Sequence, residues 1–204
     1  MTTIEVFADV SCAFTHYGLS HLAELRSARR LDFVLRVRAW PLEWVNDRPI
    51  DPDAVERQVT ALRRGIAPDL FAGFDPEVLP TSSIPALGLA AAAYETDDET
   101  GEAVSFALRD TLFEHGRDIS DPSVLDDVAT RFGIDPPSPD AADAAVRSDW
   151  ADGQSRGVVG SPHFFTPGGD GVFCPSLEIT KGEGGPQIEY RADIVEALLA
   201  GIVE

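Results

Sequence analysis

A buried strand, a cysteine and a helix follow one another without a linker near the start of the chain. The apolar run from Ile4 to Val10 indicates the strand, and large apolar residues recur at helical spacing from Phe14 onward. Alternating apolar and polar residues over Leu31–Ala39 indicate a second strand. Strand, helix and strand joined by a helix-sized crossover form a βαβ unit, which requires parallel pairing and a right-handed connection. The sequence therefore predicts an α/β fold.

Cys12 stands at the turn from the first strand into the first helix. Unpaired N–H groups and the positive end of the helix dipole favour an anion there, so a thiol at this position loses its proton more readily and becomes a nucleophile. The alternative is that Cys12 is a small apolar residue that only packs. Thr15 lies one helical turn later, where its hydroxyl could donate to the thiolate or bond back to a carbonyl of its own helix.

Pro162 marks a second stretch of interest, about 150 residues after Cys12. It directly precedes an apolar strand that begins at Phe164, a position where we expect a cis peptide bond. His16 and His163 lie beside the two stretches. An imidazole there could assist thiolate formation or relay a proton, although a histidine that is satisfied locally is the commoner case.

The chain has two cysteines, Cys12 and Cys174, which is too few for a disulfide scaffold. Cys174 could act as a distant resolving thiol, but we expect a packed strand cysteine and no Cys12–Cys174 disulfide. The residues from Met1 onward show neither a positive n-region nor an apolar h-region, and there is no run of about eighteen apolar residues. We therefore expect a cytoplasmic protein.

The formal net charge of −19 comes from 35 acidic and 16 basic residues. Such an excess of negative charge argues against nucleic acid or an anionic membrane as a partner. An acidic surface mostly serves solubility, and a high-salt habitat is a weaker explanation. No spacing typical of a metal site, a phosphate-binding glycine loop or a Ser-His-Asp triad occurs.

The two stretches resemble the DsbA-like branch of the thioredoxin superfamily, which carries Asp-x-x-Cys-Pro-x-Cys at the first and Gly-Val-Pro-Thr-Phe at the second. Five positions match, and four depart from the pattern. The second motif cysteine is replaced by Thr15, so exchange between two thiols of the motif is excluded. The matches are Asp9, Cys12, Gly160, Pro162 and Phe164; the other departures are Ala13, Ser161 and His163.

The resemblance continues between these stretches, where the run from Phe106 to Leu125 is similar to the helical insert of that family. It implies an α/β fold with a thioredoxin-like core, formed by residues 1–48 and 155–204, and an all-helical insertion at residues 49–154. Helical periodicity and caps in the middle of the chain agree with this division. After Cys174 we expect a glycine-rich loop over Leu177–Gln187 and a closing helix over Ala192–Val203.

The resemblance also implies a function and a site. It predicts a thiol-disulfide oxidoreductase with one thiol in its motif, in which Cys12 and Thr15 are catalytic. A small thiol or disulfide-containing substrate would bind to Ser161, Pro162, His163 and Phe14, with no resident cofactor but a low-molecular-weight thiol such as glutathione as co-substrate. Two alternatives stay open: a glutathione-dependent isomerase or transferase of the same fold, whose members carry serine at the position of Cys12, and a thioredoxin-like binding protein without catalysis.

Overall fold

The chain begins with the predicted βαβ unit. The structure, a computed structural model, describes residues 1–182 and 185–203. Strand β1 (Thr2–Ala8), helix α1 (Ala13–Arg29) and strand β2 (Phe33–Ala39) follow in order. The two strands pair in parallel along their whole length, from Thr2 opposite Phe33 to Ala8 opposite Ala39. The residues after Ala8 therefore lie at the end of the parallel strand pair, where α1 begins.

Helices occupy the middle of the chain. Four of them begin at an Asp or Ser whose side chain accepts a hydrogen bond from a backbone N–H of the first turn, an interaction that stabilises a helix by about 1 kcal/mol. A short 3₁₀ turn also lies among them. The helices are α2 (Leu42–Val45), α3 (Pro52–Gly65), α4 (Ile84–Tyr94), α5 (Asp98–Phe113), α6 (Pro122–Phe132) and α7 (Pro139–Ser155).

The last part of the chain returns to the sheet. Strand β3 pairs antiparallel with β1, and β4 extends the sheet beyond β3, which gives the order β2-β1-β3-β4. The result is an α/β thioredoxin-like core with a helical insertion, as the sequence predicts. The remaining elements are β3 (His163–Phe165), β4 (Gly171–Phe173), β5 (Leu177–Gly182), β6 (Gly185–Tyr190) and α8 (Ala192–Val203).

The expected loop over Leu177–Gln187 is wrong. Strands β5 and β6 form a separate antiparallel hairpin in which Ile179 pairs with Ile188, and its second strand packs against α3. The glycines that suggested a loop lie at the turn end, whereas the strand residues before and after them alternate apolar and polar side chains. Glu183 and Gly184, which the expected loop includes, lie outside the described residues.

Two buried apolar clusters meet at α1. One joins the sheet to α8 through residues such as Leu19, Leu35 and Val195. The other joins the opposite side of α1 to α3, α4 and α5, and it includes Tyr17 and Cys174. Because this second cluster draws on both parts of the chain, the insertion packs directly on the core, while the boundaries at residues 49 and 154 stay predictions.

Helix α7 also packs closely on the core. A Cβ atom at Gly153 would lie 2.7 Å from the ring of Trp40, so only glycine allows this approach. Within residues 1–182 and 185–203, none of the helices is both long and apolar enough to span a bilayer.

Candidate active site

Cys12 caps the N-terminus of α1. Its backbone is extended (φ −83°, ψ 112°), and its carbonyl accepts the N–H of His16 at 3.0 Å. The thiol donates to the carbonyl oxygen of Ser161 at 3.4 Å, and the residue is 3% exposed. The Ser161–Pro162 peptide bond is cis. The fold therefore places the thiol at a helix N-terminus and directly against the cis-proline loop, although 149 residues separate Cys12 from Ser161.

The side chain of Thr15 takes a different partner from the expected one. Its Oγ1 lies 2.9 Å from Oγ of Ser161, and Thr15 is fully buried. Within the described residues it makes no hydrogen bond to Sγ of Cys12 or to its own helix. The structure has neither of the two partners considered from the sequence, because the hydroxyl of Ser161, which stands where the family pattern has valine, offers an oxygen partner. The hydroxyl pair ties α1 to the cis-proline loop.

Asp9 joins this network at the end of β1. Its N–H donates to Oγ of Ser161 at 2.9 Å. Its fully buried carboxylate accepts hydrogen bonds from Ser11 N (2.8 Å), Leu42 N (2.6 Å) and Ser83 Oγ (3.0 Å). Burial raises the pKa of Asp9, and these hydrogen bonds oppose the rise. One carboxylate thus fixes the turn before Cys12, the exit from β2 and the start of α4.

His163 and Phe14 have different surroundings. His163 is buried in β3, where its ring stacks on Phe165 at 5.0 Å and its Nδ1 accepts the N–H of Val159 at 3.4 Å. Burial, together with the nearby charge of Arg156, lowers the pKa of His163. Phe14 is half-buried and lines a cavity of about 480 Å³ between α3 and the β5–β6 hairpin. Of the two, Phe14 is the one that faces space for a ligand.

His16 serves as a structural anchor of α1. Its ring stacks on Phe113 at 4.9 Å, and its Nε2 lies 2.7 Å from Oε1 of Glu114. Glu114 also accepts the N–H groups of Phe71 (2.7 Å) and Ala72 (3.0 Å). Burial acts to raise the pKa of Glu114, but these hydrogen bonds outweigh it and lower the value to about 2. His16 thus has the local structural role that the sequence analysis favoured, with Nε2 bonded and Nδ1 without a partner among the described residues.

Cys174 lies on the other side of the cis-proline dipeptide. It is 6% exposed and its N–H donates to the carbonyl of Pro162 at 2.8 Å. Burial, and after it the charge of Cys12, raises the pKa of Cys174 to about 12. Both cysteines are free thiols, as expected. Cys174 is therefore a packed, protonated thiol in the structure.

Two residues of the site were not identified as such from the sequence. Asp9 was matched only as a motif position, although a carboxyl that ends an apolar strand is a signal of a buried polar role. Arg109 of α5 reaches the same turn, and its Nη2 donates to the Asp9 carbonyl at 3.1 Å. An arginine on a helix ordinarily projects into solvent, so nothing in the sequence singled it out. Within the described residues no group of His, Cys, Asp and Glu side chains could hold a metal ion.

Solved structures share this fold at low sequence identity. The cytosolic disulfide reductase DsbM from Pseudomonas aeruginosa is 17% identical, with a TM-score of 0.62 over 97% of this chain and 95% of that one. A structure of DsbM with GSH has 20% identity and a TM-score of 0.59, over 84% and 89% of the two chains. A 2-hydroxychromene-2-carboxylate isomerase has 14% identity and a TM-score of 0.63, over 84% and 88%. At such identities the likeness concerns the fold alone.

No curated protein sequence is significantly similar to this chain. The family model of DSBA-like thioredoxin domains, in contrast, matches residues 3–181, a range that contains both Cys12 and the cis-proline loop. The chain therefore belongs to the family of DSBA-like thioredoxin domains.

Proposed function

We propose that the protein is a thiol-disulfide oxidoreductase that acts through Cys12 as a single motif thiol. The observation that carries the proposal is the thiol of Cys12 at the N-terminus of α1, in contact with the Ser161 carbonyl that precedes cis-Pro162. A helix N-terminus favours the thiolate, and the thiolate is the form that attacks a disulfide. The backbone of Ser161 would pair with an extended substrate, its carbonyl becoming available once the Cys12 thiol has ionised.

The exchange has two steps. The thiolate of Cys12 attacks one sulfur of the substrate disulfide; a Cys12–substrate disulfide forms, and the other substrate sulfur leaves as a thiolate. A second, external thiolate then attacks the substrate sulfur of this mixed disulfide and releases the thiolate of Cys12. The second thiol is external because Thr15 has no sulfur and Cys174, with a pKa of about 12, is protonated near neutral pH. The external thiol is abundant in a reducing compartment, in agreement with a cytoplasmic location.

The cavity beside Phe14 supports a small anionic thiol, such as glutathione, as co-substrate. Arg57 of α3 and Lys181 of β5 line this cavity, and none of its described lining residues is acidic. Lys181 is the only lysine of a chain whose formal charge is −19. Two cations beside the first turn of α1 attract a carboxylate-bearing thiol to a site that the protein's overall charge would otherwise disfavour.

The test of the function is the mixed disulfide itself. Incubation of the reduced protein with oxidised glutathione should give a glutathione adduct on Cys12, found by mass spectrometry of non-reduced peptides. Turnover of a glutathione mixed disulfide should be lost in Cys12→Ser and kept in Cys174→Ser, which serves as the matched control. Turnover that persists in Cys12→Ser would contradict the proposal.

The charge of the substrate is tested by removing one positive charge from the cavity and comparing an anionic with a cationic disulfide. Arg57→Gln should raise KM for a carboxylate-bearing disulfide by about threefold, as expected for one exposed ion pair, and should leave KM for the cationic disulfide cystamine unchanged or lower. Arg63→Gln removes the same charge from the same helix outside the cavity and should change neither value. Equal effects of Arg57→Gln on the two disulfides would contradict an anionic substrate.

A glutathione-dependent isomerase is a second candidate, and the hydroxyl at Thr15 favours it. Thr15 has no sulfur and its hydroxyl bonds Ser161, so the motif lacks the second thiol that dithiol exchange requires. Isomerisation would use glutathione without consuming it, so glutathione should bind and the total of free thiols should stay constant during turnover. A chain that binds glutathione yet performs neither reaction would be a non-catalytic binding protein.

A further inference from the structure

Arg109 of α5 is an almost completely buried cation beside the Cys12 turn. It is 1% exposed and is the largest of the fully buried side chains. Its Nη1 donates to the carbonyl (3.1 Å) and the hydroxyl (2.9 Å) of Ser105, and its Nη2 donates to the carbonyl of Asp9 (3.1 Å). The Nε–H has no partner among the described residues. Every hydrogen-bond partner that the structure gives this guanidinium is therefore a neutral oxygen.

A buried cation that touches only neutral groups is costly, since charges removed from water are ordinarily paired. Burial lowers the pKa of Arg109 to about 10, while the charge of Asp9 and, more weakly, that of Cys12 act to raise it. Arg109 is thus protonated near neutral pH and lies within electrostatic reach of the cysteine. Asp9 contributes the largest opposing charge, and a further anion that forms beside the same turn is stabilised as well.

The geometry identifies that anion. One oxygen, the carbonyl of Asp9, accepts both Nη2 of Arg109 at 3.1 Å and the N–H of Cys12 at 3.4 Å. The guanidinium therefore lies against the turn that presents Cys12. We propose that Arg109 is a positioning residue for Cys12, which fixes the Asp9 carbonyl and supplies from the insertion the positive charge that stabilises the buried thiolate. The inference rests on the proposed role of Cys12 as the nucleophile.

Asp9, Cys174 and Tyr94 do not supply this charge, and the ring of His16 is engaged with the carboxylate of Glu114. The carboxylate of Asp9 opposes a thiolate, but three hydrogen-bond donors already share its charge. Cys174 is protonated, with a pKa of about 12. Tyr94 donates its hydroxyl to the Leu35 carbonyl, and its pKa is raised by burial, so it is neutral. Among these neighbours Arg109 alone carries a positive charge toward the cysteine.

The test is the pH profile of Cys12 alkylation. Arg109→Met should slow labelling by iodoacetamide below neutral pH by about tenfold, because a nearby opposite charge favours the ionised form by about that order. The rates should converge in alkaline buffer. Arg109→Lys, which keeps the charge, should recover most of the rate. Ser105→Ala removes a hydrogen-bond partner of Arg109 without changing its charge, so it should lower stability and leave the profile unchanged.

A second measurement does not require an Arg109 variant to fold. In the unmutated protein, the ¹⁵N resonance of the Arg109 Nε–H should follow the ionisation of Cys12 and should stop doing so in Cys12→Ser. A folded Arg109→Met protein with an unchanged alkylation profile, or an Nε–H resonance that ignores Cys12, would overturn the inference. Failure of the proposed function gives a separate result: Cys12 of the unmutated protein would form no glutathione adduct.

Discussion

The two cysteines flank the same cis-proline dipeptide, and their surroundings differ. Cys12 caps a long helix and donates its thiol to the Ser161 carbonyl, with a buried cation behind its turn. Cys174 follows a three-residue edge strand at a positive φ of 44°, and its backbone N–H donates to the Pro162 carbonyl. Both are buried. Position relative to a helix terminus and to fixed charge, and not exposure, distinguishes a candidate nucleophile from a packing residue.

The largest expected effect is a difference in labelling between the two thiols. A pKa of about 12 leaves roughly one Cys174 thiol in 10⁵ ionised near neutral pH, and only the thiolate is alkylated. Iodoacetamide should therefore modify Cys12 in the folded protein and modify Cys174 only after unfolding, as read by peptide mass spectrometry with and without urea. If Cys174 in the folded Cys12→Ser variant were labelled as fast as Cys12 in the unmutated protein, the predicted difference between the two thiols would be contradicted.

The interaction between His16 and Glu114, which anchors α1, should make the stability of the protein depend on pH in acid. Because the pKa of Glu114 is lowered to about 2, its ionised form contributes stability that is complete above the ordinary glutamate pKa and is lost as the pH falls toward 2. Glu114→Gln should cost about 2 kcal/mol near neutral pH, as expected for hydrogen bonds to a charged acceptor, and should flatten the acid side of the stability curve. Urea unfolding at several pH values measures this. Glu77→Gln, an exposed control, should leave the curve unchanged.

Restoring a thiol at the second motif position should sharpen the contrast with Cys174. Thr15→Cys supplies a resolving sulfur one helical turn from Cys12, whereas the natural second thiol is protonated and lies just after β4. Insulin reduction should rise by about tenfold. Thr15→Ser, which keeps a hydroxyl, should give no rise. A Thr15→Cys protein that folds but forms no disulfide between Cys12 and the introduced sulfur on oxidation would show that α1 does not present the two sulfurs together.

The smallest expected effect concerns the Thr15–Ser161 hydroxyl pair. Thr15→Val should lower the free energy of unfolding by about 1 kcal/mol, the ordinary contribution of one buried hydrogen bond. It should leave Cys12 alkylation nearly unchanged, because the Thr15 hydroxyl bonds Ser161 and not Cys12. A double-mutant cycle with Ser161→Ala measures the coupling of the pair. A large drop in the alkylation rate with Thr15→Val would instead indicate a direct contact between Thr15 and the thiolate.

Local pattern predicted much of the architecture. The spacing of apolar residues from Phe14 onward predicted α1, and the alternation in Leu31–Ala39 predicted β2, which the structure places at Phe33–Ala39. The junction between strand and helix gave the position of Cys12. These features depend on neighbours within a few residues, which a sequence displays directly. The β5–β6 hairpin was missed because its glycines resemble a loop until the pairing of Ile179 with Ile188 is seen.

The sequence by itself determined the fold class, the family and the thiol at a helix start, because each is written in short-range periodicity or in a contiguous motif. Only the tertiary structure decided the partners of that thiol. The hydroxyl of Thr15 bonds Ser161, 146 residues away, and Arg109 reaches Asp9 across 100 residues. Such contacts arise from how the insertion and the cis-proline loop close over α1, and no local pattern records them, since hydrogen bonds and charges act through distance in space and not along the chain.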